Sequence, residues 1–145
     1  MQRILLCVDG EPHTEKALCH ALLLAGALGS RLTALHVVDP YLEKYTHEIY
    51  AVGRNECRSH LDKSLRQEGT VALAAFVDQA NAAGIAVTAE LADGERAPVI
   101  ATWSANFDLV VIGGKVLEGW YRRFESRNLP EQLFQRLAVP LLVVR

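Results

Sequence analysis

The segment Asp108-Leu-Val-Val-Ile-Gly113-Gly114 predicts a buried strand that ends in a glycine turn, and Pro140-Leu-Leu-Val-Val-Arg145 predicts a final apolar strand. Between them lies a loop, followed by a helix that we expect to begin at Asn128. Asn128 and Glu131 have the spacing of a capping box. A loop that leaves the carboxyl end of a strand and enters a helix can hold phosphate, because free backbone N–H groups converge there. This stretch therefore bears on both the fold and the function.

The rest of the chain predicts three more strands upstream. Arg3 to Val8 is a continuous apolar run, which is typical of a strand buried on both faces of a parallel sheet. Arg31 to Val38 predicts the second strand, which Asp39-Pro40 ends. Ile85 to Leu91 alternates apolar and polar residues, which indicates an edge strand with one wetter face. Together with Asp108 to Ile112 and Leu141 to Val144, the predicted strands number five.

Helical spacing of apolar residues separates these strands. One helix ends at Gly29, a long helix continues through Gly69, and a short helix follows the Asp93-Gly94 turn. Tyr41 to Tyr50 predicts either an amphipathic helical turn or the mouth of a ligand site. We predict an α/β fold: a single doubly wound domain over residues 1–145, with a five-stranded mostly parallel sheet and helices on both faces.

Composition excludes several classes of function. Of 145 residues, 50% are apolar and 22% charged, and the formal net charge of −2 argues against a nucleic-acid partner. The apolar run at the start is too short for a signal peptide and no run is long enough to span a membrane, so we expect a cytoplasmic location without membrane contact. Cys7, Cys19 and Cys57 lack metal-ligand spacing, which predicts free thiols and no metal site.

Five segments in the right order give the chain a resemblance to the universal stress protein family. They are Ile4 to Gly10, Leu35 to Pro40, Asp93-Gly94 with Ile100-Ala101, Asp108 to Gly113, and Val139 to Val144. The resemblance implies the adenine nucleotide alpha hydrolase-like fold, a homodimer, and in many relatives ATP bound between the ends of strands one and four. On that implication the candidate nucleotide-binding residues are Cys7, Val8, Asp9, Val38, Ile112, Gly113, Asn128 and Leu129.

The glycine motif of the ATP-binding relatives is incomplete in this chain. Gly113 matches its first glycine, but Val116 stands at the second position and Arg127-Asn128 at the place of Gly-Ser. A Cβ keeps the backbone away from phosphates and disfavours left-handed turns. Loss of tight ATP binding is therefore our expectation, with no cofactor. ATP with magnesium, bound by a slow ATPase at most, remains the alternative.

Catalytic arrangements are missing from the sequence. The five histidines form no H-E-x-x-H or related pair, and His36 falls within a strand, which favours a structural role. Ser104 and Ser126 lack the context of a nucleophile elbow. We name no catalytic residue and predict that the protein is not an enzyme.

The last strand carries the partner prediction. Leu141 to Val144 is apolar on both faces, yet the resemblance places it at a sheet edge, where unpaired backbone groups promote association. A second copy of the same strand would cover it. Trp120, Tyr121 and Phe124 would fill a vacated nucleotide cleft or form an adhesive surface. The prediction is a dimeric stress-response protein that acts through contacts with protein partners not yet identified.

Overall fold

The computed structural model describes residues 1–9, 13–39, 54–114 and 128–145, with the backbone alone at 54–62. Its sheet has five parallel strands in the order β3-β2-β1-β4-β5. The strands are β1 (Arg3–Cys7), β2 (Arg31–Val38), β3 (Val87–Asp93), β4 (Leu109–Gly113) and β5 (Leu141–Val144). The predicted α/β fold is confirmed. As the sequence patterns predict, β1 is central and β3 is an edge strand; β5 forms the other edge, as the family resemblance implies.

Within the described ranges, four helices cover the two faces of the sheet: α1 (Thr14–Leu28), α2 (Arg54–Ala82), α3 (Arg96–Ser104) and α4 (Leu129–Arg136). One core joins α1 and α2 to the sheet around Leu6 and Phe76. A second core, around Leu5 and Ile100, joins α3 and α4 to the opposite face. Because neighbouring residues of a strand point to opposite faces, β1 supplies both cores from adjacent positions. Helices on both faces are the doubly wound arrangement expected from the sequence.

The third strand lies two residues further along than predicted. We expected Ile85 to Leu91, but β3 spans Val87–Asp93. Gly84 has φ of 70°, and the Ile85 N–H donates to Ala80 O at 2.9 Å. Ile85 therefore completes the C-terminal cap of α2 instead of starting the strand. The alternation of apolar and polar residues could not show whether Ile85 caps the helix or begins the strand.

The predicted start of α4 is correct, but the capping interaction is not. Asn128 occupies the N-cap position without a side-chain capping hydrogen bond. Pro130 is the second helical residue and has no N–H, which removes one of the two donors that an N-cap side chain normally uses. Of the expected capping box, only the helix boundary is present.

Candidate functional site

A cleft opens at the carboxyl edge of the sheet, on the face covered by α3 and α4. Its lining combines the ends of β1, β2 and β4 with the first turns of both helices. The lining residues are Cys7, Val8, Asp9, Leu35, Val37, Arg96, Ile100, Ile112, Gly113 and Leu129. Parallel strands bring their carboxyl ends to one edge, so segments far apart in sequence meet here.

Most of the candidate residues chosen from the sequence meet in this cleft. Cys7, Val8, Asp9, Ile112, Gly113 and Leu129 line it, whereas Val38 and Asn128 do not. Val37 takes the place expected of Val38, because neighbouring residues of a strand point to opposite faces. The Val38 carbonyl accepts a hydrogen bond from Gly94 N–H at 3.0 Å. Asn128 is exposed just before α4.

Asp9 is held by the beginning of α1. The Thr14 hydroxyl donates a hydrogen bond to one carboxylate oxygen, and His13 Nε2 lies 3.1 Å from the other. Thr14 is 2% exposed, so its hydroxyl is withdrawn from water and depends on this bond. A carboxylate beside the first turn of a helix also interacts favourably with the helix dipole. The position of Asp9 is thus explained by contacts within the chain.

Gly113 is also explained by packing. A Cβ at this position would lie 2.9 Å from His13 O and 3.1 Å from Thr14 Cα, so any larger residue would displace the start of α1. At Gly114 a Cβ would lie 2.6 Å from Val143 Cγ1. The two glycines allow the end of β4 and the residue that follows it to pass close to neighbouring backbone and side chains. A phosphate need not be invoked to account for them.

Cys7 is a cleft residue of low reactivity. Burial, assisted by the nearby negative charge of Asp9, raises the pKa of the Cys7 thiol to about 12. The thiolate is the nucleophilic form, so at neutral pH this side chain is an unreactive thiol. Cys7 and Cys19 are both free, as predicted.

Arg96 is the charged cleft residue that the sequence prediction missed, together with the apolar residues Leu35, Val37 and Ile100. It is the first residue of α3, and its positive charge acts on both Cys7 and His36. The available signal was topological. A helix that follows an edge strand of a parallel sheet begins at the carboxyl edge, which places the first helical residue after Asp93-Gly94-Glu95 on the ligand side.

His36 lies beneath the cleft on the other face of the sheet. It is 7% exposed, and its Nδ1 lies 2.7 Å from Val8 O. A carbonyl can only accept, so Nδ1 carries the proton. Burial lowers the pKa of His36, which keeps the ring neutral. The structural role predicted for this histidine is confirmed.

The imidazole of His36 also packs directly on α2. A Cβ at Gly69 would lie 2.4 Å from His36 Cδ2 and 2.7 Å from Nε2. Gly69 therefore lets α2 approach β2 closely enough to cover the ring. The predicted continuity of the helix through Gly69 is confirmed, and the glycine has a packing reason.

Several sequence predictions concern residues outside the described ranges. Tyr41 to Tyr50, Val116, Arg127 and the aromatic set Trp120, Tyr121 and Phe124 lie outside the described ranges, as does the side chain of Cys57. Within those ranges, no three His, Cys, Asp or Glu side chains are grouped to hold a metal ion. None of the helices described here has the length and apolar composition needed to cross a membrane.

Comparisons with known proteins agree with this architecture. The structure resembles a universal stress protein family member from Burkholderia pseudomallei, with TM-score 0.75, 22% identity, and coverage of 99% of this chain and 95% of the other. It also resembles an Arabidopsis thaliana family protein with AMP bound (TM-score 0.68, 13% identity, 99% and 91% coverage). A third similar structure is the Archaeoglobus fulgidus universal stress protein in complex with dAMP (TM-score 0.67, 17% identity, 100% and 98% coverage).

At these identities the structural matches establish the fold alone. No curated protein sequence matches the chain. The sequence profile of the Universal stress protein family, however, matches residues 1–145. This chain therefore belongs to the universal stress protein family.

Proposed function

We propose that this universal stress protein works as a homodimer and through contacts with other proteins, without tight ATP binding. The observation that carries the proposal is the outer edge of β5. This strand pairs with β4 on one side and is the last strand of the sheet. An apolar edge strand is a template for pairing with another chain. The cytoplasmic location and the single domain over 1–145 expected from the sequence are part of this proposal.

The residues around β5 support association. Leu141 and Leu142 are half-buried, and Val143 is 37% exposed. Phe134, on the neighbouring α4, is 79% exposed. A second β5 would satisfy the outward backbone groups and shield Val143. Phe134 would add apolar area for a protein partner.

Features of the cleft support the proposed lack of tight ATP binding. Asp9, which would otherwise contact a nucleoside, is engaged by His13 and Thr14. Gly113 is required by the packing of α1. The sequence places Val116 and Arg127 where the ATP-binding relatives have glycines. These features together favour a cleft that does not hold a triphosphate tightly.

A second candidate function is nucleotide binding in the same cleft. It is favoured by the convergence of Cys7, Asp9, Ile112 and Leu129 at one opening. Two structurally similar proteins were solved with AMP or dAMP bound. In this candidate the protein is a nucleotide sensor, or at most a slow ATPase.

Thermal denaturation with and without MgATP separates the two candidates. A ligand at a hundred times its dissociation constant adds about 2.7 kcal/mol of stability. We expect no shift of the melting temperature at millimolar MgATP. A shift of several degrees would contradict the proposal and support nucleotide binding.

A further inference from the structure

The long helix α2 is anchored unequally along its length. Between Leu73 and Ala80 its buried side chains recur at helical spacing and belong to the core on this face of the sheet. One turn earlier, Gly69 is buried against the ring of His36. The side chains from Lys63 to Glu68 are exposed or half-buried and are not part of that core. Gly69 is therefore the point at which the core packing of α2 ends.

The part of α2 before Gly69 has weaker support. The Arg66 guanidinium pairs with the carboxylate of Asp93 at the end of β3, but these side chains are 44% and 58% exposed, and ion pairs open to water contribute little stability. Beside this part of the helix lies an open groove of about 550 Å³. Its lining residues are Asp9, Ser64, Gln67, Glu68, Val71, Ala72 and Ala75. This part of α2 can therefore move without disturbing the core.

The packing of His36 leaves no room beside its second ring nitrogen. Nδ1–H donates to Val8 O at 2.7 Å, so Nε2 is the nitrogen that takes up a proton. A Cβ at Gly69 would lie 2.7 Å from Nε2, so a group the size of a methyl or a water molecule does not fit between the ring and α2. A protonated Nε2–H is a charged donor, and burying it without an acceptor is costly. Movement of α2 away from the ring would expose Nε2–H to water and remove this cost.

The charged groups around His36 do not offset its burial. Burial lowers the pKa of the packed ring. Arg96 lowers it further by charge, whereas Asp9 and Glu68 act in the opposite direction. At this end of the sheet the surrounding elements also carry the ionisable side chains of His13, Asp39, Arg66, Asp93 and Glu95. A ring exposed to water titrates near pH 6.5. Each pH unit below 6.5 therefore favours release of α2 by up to about tenfold, until the pKa of the packed ring is reached.

From this packing we propose that His36 is an acid-sensitive latch for α2, in which proton uptake at Nε2 releases the part of the helix before Gly69 while the part from Leu73 to Ala80 stays in the core. The ion pair between Arg66 and Asp93 opens with it, and the groove beside α2 widens at the carboxyl edge of the sheet. The latch goes beyond the proposed function, since it needs neither the dimer nor a ligand in the cleft. It gives the protein a surface that changes in mildly acidic conditions.

Amide hydrogen exchange of the full chain at pH 7.5 and pH 5.0 tests the latch, with each rate corrected for the intrinsic effect of pH on exchange. In wild type, protection of the amides from Arg66 to Thr70 should fall about tenfold or more at pH 5.0. Exchange of these amides should respond weakly to low concentrations of urea, because a local opening exposes little surface. The amides from Phe76 to Ala80 should remain better protected and should respond strongly to urea, as expected for global unfolding.

Two variants assign the effect. His36→Asn keeps a donor for the backbone hydrogen bond but does not titrate, so protection of the amides from Arg66 to Thr70 should no longer fall at pH 5.0. His20→Asn is the matched control, because His20 is exposed on α1 and its Nδ1 also lies close to a backbone carbonyl, 2.8 Å from Lys16 O. This control should retain the loss of protection seen in wild type.

Several results would overturn the latch. Unchanged wild-type protection from Arg66 to Thr70 would show that α2 is not released. If these amides and those from Phe76 to Ala80 share one protection and one urea dependence at pH 5.0, the proton acts through global unfolding alone. A loss that persists in His36→Asn would assign the titration to another group.

If His36→Asn does not fold, the wild-type ring decides the question. Proton–carbon spectra of the imidazole follow the protonation of His36 directly as the pH is lowered. Loss of amide protection from Arg66 to Thr70 that accompanies protonation of the ring supports the latch. A ring that gains its proton while these amides stay protected contradicts it.

Discussion

At the scale of single residues, glycines in this chain record where backbone must pass close to another group. Gly69 faces the His36 ring, and Gly113 faces the first turn of α1. Gly26, in contrast, lies in α1 where an added Cβ would meet only Ile85 Cδ1 at 3.7 Å. Identical residues in helices thus have different reasons to be glycine, and these reasons can be tested.

Replacing Gly69 by alanine should destabilise the protein, although alanine is the better helix former. The new Cβ would overlap the His36 ring, and overpacking of this kind costs about 1–3 kcal/mol. Gly26→Ala is the control and should stabilise the fold by up to about 1 kcal/mol through helix propensity. Urea denaturation of both variants measures the difference. Equal stabilisation by the two alanines would show that the His36 ring does not limit this position.

His36 should make stability depend on pH. Its pKa in the folded protein is lowered by burial, while in the unfolded chain it is about 6.5. Below pH 6.5 the unfolded state binds more protons than the folded state. The contribution of His36 to the free energy of unfolding is therefore fully present above pH 6.5 and is lost as the pH falls towards the folded pKa. Arg96, Asp9 and Glu68 are the charged groups that act on the ring, and Arg96 opposes its protonation.

The comparison between wild type and His36→Asn isolates this effect. Asparagine keeps a donor for Val8 O but does not titrate. Between pH 7 and 5, wild type should lose stability relative to the variant in urea denaturation. The carboxyl of Asp108 does not interfere, because hydrogen bonds from the backbone N–H groups of Gln2 and Arg3 hold its pKa below 3.8. Parallel curves for the two proteins would exclude His36 as the titrating group.

At the scale of elements, β5 is paired with β4 along one edge, while its other edge is the open edge of the sheet. The Pro140 carbonyl accepts a hydrogen bond from the N–H of Val110 on β4, and the Val144 carbonyl accepts one from the N–H of Gly114, just after β4. Because residues of a strand direct their backbone groups alternately to the two sides, Val143 directs its N–H away from β4. The open edge is therefore accessible to a substitution that leaves the sheet intact.

Val143→Pro should prevent association without unfolding the chain. Proline removes the outward N–H, and edge strands tolerate it. Light scattering at micromolar concentration should show a dimer for wild type and a monomer for the variant, with similar circular dichroism. Val143→Ala keeps the N–H and should remain dimeric. A monomeric wild type would contradict the dimer proposal directly.

At the scale of the whole molecule, dimerisation should link stability to concentration. A folded dimer is favoured by mass action, so its melting temperature should rise with protein concentration, whereas that of Val143→Pro should stay constant. Calorimetry over a hundredfold concentration range measures this. A wild-type melting temperature that does not change with concentration would contradict the dimer proposal and indicate a monomer.

The sequence by itself determined the order of strands and helices and the buried strands β1 and β4, because apolar periodicity and turn residues act locally. The meeting of Asp9 and Gly113 at one edge followed from the predicted parallel sheet, and Cys7 was added by the family resemblance. Only the tertiary structure decided that Gly113 serves packing, that Ile85 caps a helix, and that Arg96 faces the cleft. These outcomes depend on which distant backbone lies within a few ångströms, and local sequence patterns carry no such distances.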